Sequence, residues 1–146
     1  GTDIVYIARV PTRRIMTVGI TIGTRFPAFA TSMGRVLLAD LPAEKLEATL
    51  ATADLRALTE RTITDLSALT AEIARVREHG WAIVDGELET GLRSLAVPVR
   101  GKDGGAAAAL NVSTSASSGS LELLREHHLP RLLDTARAIE QELQLL

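Results

Sequence analysis

The chain has 146 residues, of which 46% are hydrophobic and 23% are charged, and it has a formal net charge of -2 and no cysteine. This length fits one domain with one core, and the apolar content excludes a disordered chain. The nearly balanced charge argues against binding of DNA or an acidic membrane by this chain alone. Disulfides and thiolate chemistry are excluded, and no apolar run approaches the roughly 20 residues of a membrane span. We therefore expect a single cytoplasmic, water-soluble domain over residues 1–146.

Strands are predicted near the N-terminus and again between residues 81 and 112. Two β-branched runs at 4–8 and 15–20 flank a turn that contains a proline, which is typical of an antiparallel hairpin, and an irregular segment follows at 23–27. A later meander includes a Gly-Lys-Asp-Gly-Gly turn at 101–105, a strong hairpin signal. The strands of this meander are predicted at 81–84, 94–99 and 106–112.

Helices are predicted between these strands. Thr31 or Ser32 can cap a helix that stops before Pro42, and Pro42 suits the first turn of a second helix. Asp65 precedes apolar residues at three- and four-residue spacing, and Gly80 can end this helix in a left-handed conformation. The third of these helices has the strongest sequence signals, because both of its ends carry a capping residue.

The C-terminal segment from Ser120 is predicted to be helical, with a break or restart at Pro130. Beyond this proline, apolar residues recur at helical spacing, which is typical of a helix that packs on its own sheet or, less often, on a partner helix. The residues of this stripe are Leu129, Leu132, Ala136, Ile139, Leu143 and Leu146. The order of elements predicts an α+β domain in which helices flank a mainly antiparallel sheet.

The sequence offers little for catalysis or metal binding. The chain has no Gly-x-Ser-x-Gly elbow and no glycine-rich phosphate motif, and its 3 histidines lie at predicted helix positions near turns. His127 and His128 are adjacent, so they point in different directions on a helix and cannot share a metal as an i, i+4 pair would. We therefore predict no catalytic residue, no metal and no cofactor.

Two sets of charged residues remain open to interpretation. The acidic stretch at 85–89 is either a pair of carboxylates for acid–base work or, as composition favours, a solvated loop. Arg13, Arg14 and Arg25 either hold a carboxylate ligand or are ordinary hairpin and surface charges, and the sequence leaves their role undecided.

Three segments of the chain resemble the signatures of one protein family. They read GTRFPAFATSMGRVLLA at 23–39, VDGELETGLRSLAVPV at 84–99 and ALNVS at 109–113. In this order they resemble the signatures of the effector-binding domain of IclR-type transcription regulators. Within that family, the segments at 11–16, 31–35 and 91–94 look most like regulators of aromatic catabolism, in the protocatechuate and β-ketoadipate branch.

The resemblance implies a GAF-like α+β fold with a small-molecule pocket on one side of the sheet. It implies that an N-terminal winged helix-turn-helix domain, absent from this chain, would bind DNA, and that the protein forms a homodimer or homotetramer. The effector implied by the subgroup is a small anion, either an aromatic acid or a dicarboxylate. Hydroxyls, amides and one or two arginines would suit such a ligand.

The resemblance also assigns the pocket walls. A carboxylate is expected at the helix start at 32–34, where backbone N–H groups are free, with neutral groups on adjacent strands at the other end of the ligand. Val84 stands where the family commonly has an acidic residue, which leaves Asp85 and Glu87 as the matching carboxylates, and Ser94 replaces a frequent cysteine. The predicted ligand-binding residues are Ile15, Val18, Phe26, Ser32, Met33, Gly34, Asp85, Leu92, Ser94, Asn111 and Ser113.

Two other functions remain as alternatives. The chain would be a structural dimerisation module with a vestigial pocket if it dimerised but bound no small acid. It would be a small hydrolase or isomerase using Asp85 or Glu87 if it turned over a candidate ligand.

Overall fold

The computed structural model of the protein describes residues 1–10 and 19–146. Most of the second predicted strand, at 15–20, lies outside the described residues, as do the predicted site residues Ile15 and Val18 and the arginines Arg13 and Arg14.

The N-terminal strand pairs with a segment that the sequence pattern predicts to be irregular. Strand β1 (Asp3–Val5) runs antiparallel to β2 (Arg25–Pro27), with Ile4 opposite Phe26. Two backbone bonds between Tyr6 and the segment at 23–24 extend this pairing, with N···O distances of 2.9 and 2.7 Å. The prediction of a strand at 4–8 is correct only for its beginning, and the prediction of an irregular segment at 23–27 is wrong for 25–27, which form β2. Residues 25–27 form a strand because pairing with β1 places Phe26 beside Ile4, against the hydrophobic core formed with α1 and α3.

Three helices follow, and the capping residues of the first and the third are those that the sequence predicts, whereas Pro42 stands just before the second helix and not in its first turn. Thr31 caps the first through a 3.1 Å bond from the Gly34 N–H, and Asp65 caps the third through a 2.8 Å bond from the Ala68 N–H. Gly80 ends the third helix at a φ of 81°. The helices are α1 (Ser32–Ala39), α2 (Ala43–Thr52) and α3 (Leu66–His79).

The predicted meander is an antiparallel sheet in the order β3-β4-β5. Its turn is closed by a 2.9 Å bond from the Gly101 N–H to the Gly105 carbonyl, and Gly104 has a φ of 82°. In the register of β4 and β5, Ser94 lies opposite Ser113. The strands are β3 (Ala82–Asp85), β4 (Leu92–Arg100) and β5 (Ala106–Ser115), so β5 extends three residues beyond the strand predicted at 106–112.

The C-terminal helical segment does not break at Pro130, where the sequence predicts a break, but passes through a π-helical turn just before the proline. A short helix α4 (Leu121–Leu123) leads into a π-helical turn (Leu124–His128), after which α5 (Leu129–Gln144) begins with the proline in its first turn. The proline, which has no N–H to donate, thus directly follows the turn in which the helical hydrogen bonds change register. Much of the apolar stripe of α5 packs on the chain's own sheet, where Ala136 is buried against Val97 and Val99. Ile139 and Leu146 are exposed.

Helices cover both faces of the β3–β5 sheet. Successive residues of a strand point to opposite faces, and Ala96 belongs to the core with α1 and α3 whereas Val97 belongs to the cluster under α5. Strands in antiparallel pairs with helices on their faces confirm the predicted α+β class.

An aspartate after α1 links this helix to the β4–β5 turn. The Asp40 carboxylate accepts a 3.0 Å bond from the Arg100 guanidinium and a 2.8 Å bond from the Ala106 N–H. The bond from the Ala106 backbone, and then those from Arg100, lower the pKa of Asp40. Because the folded-state pKa is depressed, the stabilisation is present above the unfolded-state pKa and is lost as the pH falls through the folded-state value.

We expect Asp40→Asn to lower the free energy of unfolding at pH 7 by about 1 kcal/mol, the usual contribution of such a bond. Urea denaturation of both proteins between pH 2.5 and 7 measures this, and the difference should shrink below about pH 4, where the unfolded aspartate becomes protonated. Asp134→Asn is the control, because Asp134 pairs with Arg137 on the exposed surface. A difference for Asp40→Asn that is the same at pH 3 and pH 7 would contradict the assignment.

Candidate functional site

A cavity lies between the start of α1 and the β3–β5 sheet. Its space is about 340 Å³ when its opening to solvent is included, of which about 20 Å³ can hold the centre of a water-sized sphere. The described residues that line it are Tyr6, Ala30, Thr31, Ser32, Met33, Val84, Leu88, Leu92, Ser94, Asn111 and Ser113.

The start of α1 forms one wall of the cavity. The Thr31 hydroxyl accepts the bond from the Gly34 N–H and donates a 3.3 Å bond to the Ala28 carbonyl. The N–H groups of Ser32 and Met33 lie in the first helical turn, where no carbonyl of the same helix can accept from them. This wall therefore offers backbone donors and the positive end of a helix dipole to a ligand.

The opposite wall is built from two neighbouring strands. Ser94 and Ser113 are cross-strand partners and Asn111 lies two positions before Ser113, so the three side chains share one face of the sheet. The Asn111 amide Nδ2 donates a 3.2 Å bond to the Ser113 hydroxyl. This wall is polar and carries no formal charge.

Two buried hydroxyls face the cavity without a protein partner. Ser32 is 1% exposed and Ser94 is 9% exposed, and neither side chain forms a hydrogen bond within the part of the chain that the structure describes. In that part of the chain, no side-chain polar atom that is fully closed off from solvent lacks a partner. The two hydroxyl oxygens must therefore reach the cavity. Buried polar groups are normally paired, so this arrangement indicates a site for a water or a polar ligand.

Tyr6 adds an aromatic side wall to the cavity. Burial raises the pKa of Tyr6, an effect that the nearby Arg9 partly opposes, so the phenol is neutral at physiological pH. Phe26 packs edge-on against the Tyr6 ring, with 6.0 Å between the ring centroids. Phe26 thus supports a lining residue but is not itself among the lining residues.

The structure brings together most of the predicted site residues that it describes. Asp85 is not among the lining residues, and its carboxylate pairs with Arg61 at 3.1 Å and with Arg93 at 3.0 Å. Arg25 is on the exposed surface, where it pairs with Asp3. The predicted residues that line the cavity are Ser32, Met33, Leu92, Ser94, Asn111 and Ser113.

Gly34 allows α1 to pack closely against Ala28 and does not offer a free donor to a ligand. A Cβ atom at this residue would lie 2.1 Å from the Ala28 carbonyl oxygen, and the Gly34 N–H is already bonded to Thr31. The N–H donors at the start of α1 that remain for a ligand are therefore those of Ser32 and Met33.

The acidic stretch is not a solvated loop, so that interpretation is wrong. Glu87 is 7% exposed and receives bonds of 2.7 and 2.5 Å from the Arg35 guanidinium, which is itself 1% exposed. Arg35 also donates to the Phe29 carbonyl at 2.9 Å, and Glu87 accepts from the Ile63 N–H at 3.1 Å. This ion pair joins α1 to the loop that carries the lining residue Leu88.

Several lining residues are missing from the prediction. Tyr6, Ala30 and Thr31 precede α1 in the chain, and Val84 and Leu88 flank the Arg35–Glu87 contact. Alternation along β1 could have indicated Tyr6, which lies two positions after the buried Ile4. The others are lining residues because of contacts between distant parts of the chain.

Other kinds of site find no support in the described residues. Within residues 1–10 and 19–146, no group of three or more metal-ligating side chains could hold an ion. His79 packs on Trp81. The prediction that His127 and His128 point in different directions is wrong, because both lie in the π-helical turn and their ring centroids are 5.0 Å apart. No helix of the described segments is long and apolar enough to cross a membrane.

Comparison with known proteins connects this domain to transcriptional regulators. Residues 1–141 match the family described as bacterial transcriptional regulator IclR, C-terminal. The chain is 46% identical to the Pca regulon regulatory protein of Pseudomonas putida over 144 residues, which is 98% of this chain and 50% of the relative. The chain thus spans about half the length of the curated relatives that it matches.

Two crystal structures of regulators share the fold. A transcriptional regulator of Rhodococcus sp. RHA1 has a TM-score of 0.95 and 57% identity, and the match covers 99% of this chain and 59% of that one. The inducer-binding domain of PobR from Acinetobacter, a double mutant in complex with 3-hydroxybenzoic acid, has a TM-score of 0.83 and 32% identity. That match covers 91% of this chain and 77% of the other.

Both of these relatives are named as transcription regulators or transcription factors. The chain belongs to the IclR C-terminal family of bacterial transcriptional regulators, as its sequence signatures indicate.

Proposed function

We propose that the cavity binds a small carboxylic acid, either an aromatic acid or a short dicarboxylate, as the effector of a transcriptional regulator. The observation that carries the proposal is the pair of buried, unpartnered hydroxyls of Ser32 and Ser94 on opposite walls of one cavity. A carboxylate at the start of α1 would accept from the N–H groups of Ser32 and Met33. The PobR domain, which shares this fold, was crystallised with an aromatic acid.

Binding should move the walls of the cavity. The 20 Å³ that a water-sized sphere can occupy is far below the roughly 150 Å³ of a cavity that holds benzene. Met33 has a flexible side chain, and Leu88 lies on the loop that Glu87 ties to α1. A ligand that displaces these residues would therefore move α1 and this loop together, away from the strand wall, because the Arg35–Glu87 pair joins them.

This movement would regulate the whole protein by favouring one of two arrangements. A ligand shifts such an equilibrium only if it binds one arrangement more tightly. We propose that the arrangements are those of a homodimer or homotetramer that binds DNA through an N-terminal domain. The sign of regulation follows from which arrangement the effector prefers.

Calorimetry with protocatechuate and with β-ketoadipate tests the effector site. We expect at least one of these acids to bind, and Ser32→Ala and Asn111→Leu each to weaken it about tenfold, since a hydrogen bond to a charged or buried polar group contributes about 1.4 kcal/mol. Ser67→Ala is the matched control, because Ser67 is exposed on α3. Unchanged affinity in folded Asn111→Leu protein would show that the strand wall is misplaced. Dimerisation without binding of any carboxylate would favour the structural-module alternative.

Self-association is expected through exposed apolar side chains. Ile7 is 70% exposed and Ile22 is 71% exposed, and they flank the backbone bonds that join residues 6 and 23. Exposed apolar surface of this kind is typical of interfaces. Light scattering should give a dimer or tetramer for the parent chain and a smaller species for an Ile7→Lys, Ile22→Lys variant, with Leu66→Lys on α3 as control. A strict monomer at high micromolar concentration would exclude this proposal.

A further inference from the structure

The segment at 58–63, between α2 and α3, is bonded to the loop that follows β3. The Thr59 hydroxyl donates a 2.6 Å bond to the Gly86 carbonyl, and the Thr62 hydroxyl donates a 2.7 Å bond to the Glu87 carbonyl. Gly86 has a φ of 70°, a conformation that residues with a side chain rarely adopt. The two hydroxyls therefore hold the loop at the point where it turns away from the strand.

The same segment also reaches the ion pair of α1. The Ile63 N–H donates a 3.1 Å bond to the Glu87 Oε1 atom, which also accepts from the Nη2 atom of Arg35. The next residue of the loop, Leu88, lines the cavity. The segment thus fixes the positions of one wall residue and, through Arg35, of the helix that forms another wall.

The 58–63 segment is itself anchored at the start of α3. Ile63 packs against the hydrophobic core, and the Thr62 hydroxyl accepts a 3.0 Å bond from the Leu58 N–H, which closes the segment on itself. Asp65, two residues after Ile63, caps α3. The segment can therefore stay with α3 when α1 and the loop move.

The bonds from this segment belong to an arrangement in which the cavity is nearly closed. About 20 Å³ of the cavity can hold the centre of a water-sized sphere, so a small acid needs α1 and the loop to move away from the strand wall. That movement stretches the bonds that Thr59, Thr62 and Ile63 make to the loop. Bonds that are present in the closed arrangement and absent from the open one lower the apparent affinity for a ligand that needs the open one.

We propose that Thr59 and Thr62 are positioning residues that hold the cavity closed and thereby set the affinity for the effector. This inference rests on the proposed effector site, and neither threonine is among the described lining residues. Loosening the segment strengthens effector binding although it weakens the fold, whereas the loss of a ligand-binding side chain weakens binding. By reciprocity, effector binding loosens the bond between Ile63 and Glu87.

Calorimetry with protocatechuate and β-ketoadipate compares the parent chain with Thr59→Val, which removes the hydroxyl and keeps the shape of the side chain. An acid that the parent binds should bind to Thr59→Val about fivefold more tightly, the factor that corresponds to one ordinary hydrogen bond. The variant should nevertheless unfold at a lower urea concentration. Thr59→Ser keeps the hydroxyl and should bind as the parent does. Thr70→Val is the matched control, because the Thr70 hydroxyl donates to the Leu66 carbonyl on the exposed surface of α3.

Hydrogen exchange of the parent chain tests the same linkage without a substitution. Amides in loops exchange through local opening, so the Ile63 amide reports on its own bond to Glu87. When the chain is saturated with the acid, this amide should exchange faster than in the free chain. The Leu69 amide, which donates to the Asp65 carbonyl within α3, should not.

The outcomes separate this inference from the proposed function. If an acid binds to the parent and no more tightly to folded Thr59→Val, the inference is wrong while the effector site stands. An Ile63 amide that exchanges no faster in the complex would also overturn it, as would an equal gain in affinity in Thr70→Val. If neither acid binds to the parent or to the variants, the proposed function fails and this inference fails with it.

Discussion

Gly34→Ala should destabilise the domain by about 3 kcal/mol or more, although alanine is the better residue in most helices. In a helix interior, replacing glycine by alanine usually stabilises by about 1 kcal/mol. Here the new Cβ would lie 2.1 Å from the carbonyl oxygen and 2.4 Å from the Cα of Ala28. The opposing atoms are backbone, and Arg35 holds the same turn through the Phe29 carbonyl. The overlap must therefore be relieved by separating α1 from this turn, a change with the cost of an overpacked core or more.

Chemical denaturation monitored by circular dichroism measures this effect. Gly19→Ala is the matched control, because no atom lies within 4 Å of a Cβ at that glycine. We expect the control to change the free energy of unfolding by less than about 1 kcal/mol, as exposed substitutions usually do. A Gly34→Ala protein as stable as the parent would show that α1 does not approach Ala28 this closely.

Glu87→Leu should cost about 3–5 kcal/mol, because it leaves the buried Arg35 guanidinium without its counter-charge. The pair is almost fully closed off from solvent, with side-chain exposures of 1% for Arg35 and 9% for Glu87. Removing the carboxylate also leaves the Ile63 N–H without its acceptor. Exposed ion pairs contribute only about 0–1 kcal/mol, so the effect should far exceed that of a surface pair.

A double variant separates the charge from the packing. Arg35→Met together with Glu87→Leu removes both charges and should recover much of the stability lost in Glu87→Leu alone, since apolar replacements of buried ion pairs are often tolerated. Asp134→Ala is the surface control, because Asp134 and Arg137 are both largely exposed. If Glu87→Leu and Asp134→Ala had equal effects, the Arg35–Glu87 pair would have to be open to water.

Elements whose signals are local could be predicted from the sequence. The α3 helix has its cap at Asp65 and its left-handed end at Gly80, and the β4–β5 turn is contained within 101–105. The pairing of β1 with β2 could not be predicted in this way, because it depends on which distant segment best covers Ile4. A short β-branched run predicts a strand but not its partner.

In the candidate site too, the positions that local sequence signals indicate could be predicted, whereas contacts with distant residues could not. The resemblance placed Ser94, Asn111 and Ser113 on adjacent strands, and the register of β4 and β5 explains why they share a face. The burial of Glu87 could not be predicted, because it depends on Arg35, which lies 52 positions away. Composition shows that a loop is acidic, but it does not show which carboxylate has a buried partner.

The position of α1 has a consequence for how the domain opens. Its first half is bound to Glu87 through Arg35, and its end is bound through Asp40 to Ala106, 66 positions along the chain. Arg77 of α3 donates to the Ala39 carbonyl at the last residue of the same helix. A helix held at both ends by distant segments cannot fray independently. The hydrogen-bonded amides of α1, from Gly34 onward, should therefore exchange with solvent only when the surrounding structure opens as a whole, although the helix lies at the edge of the cavity.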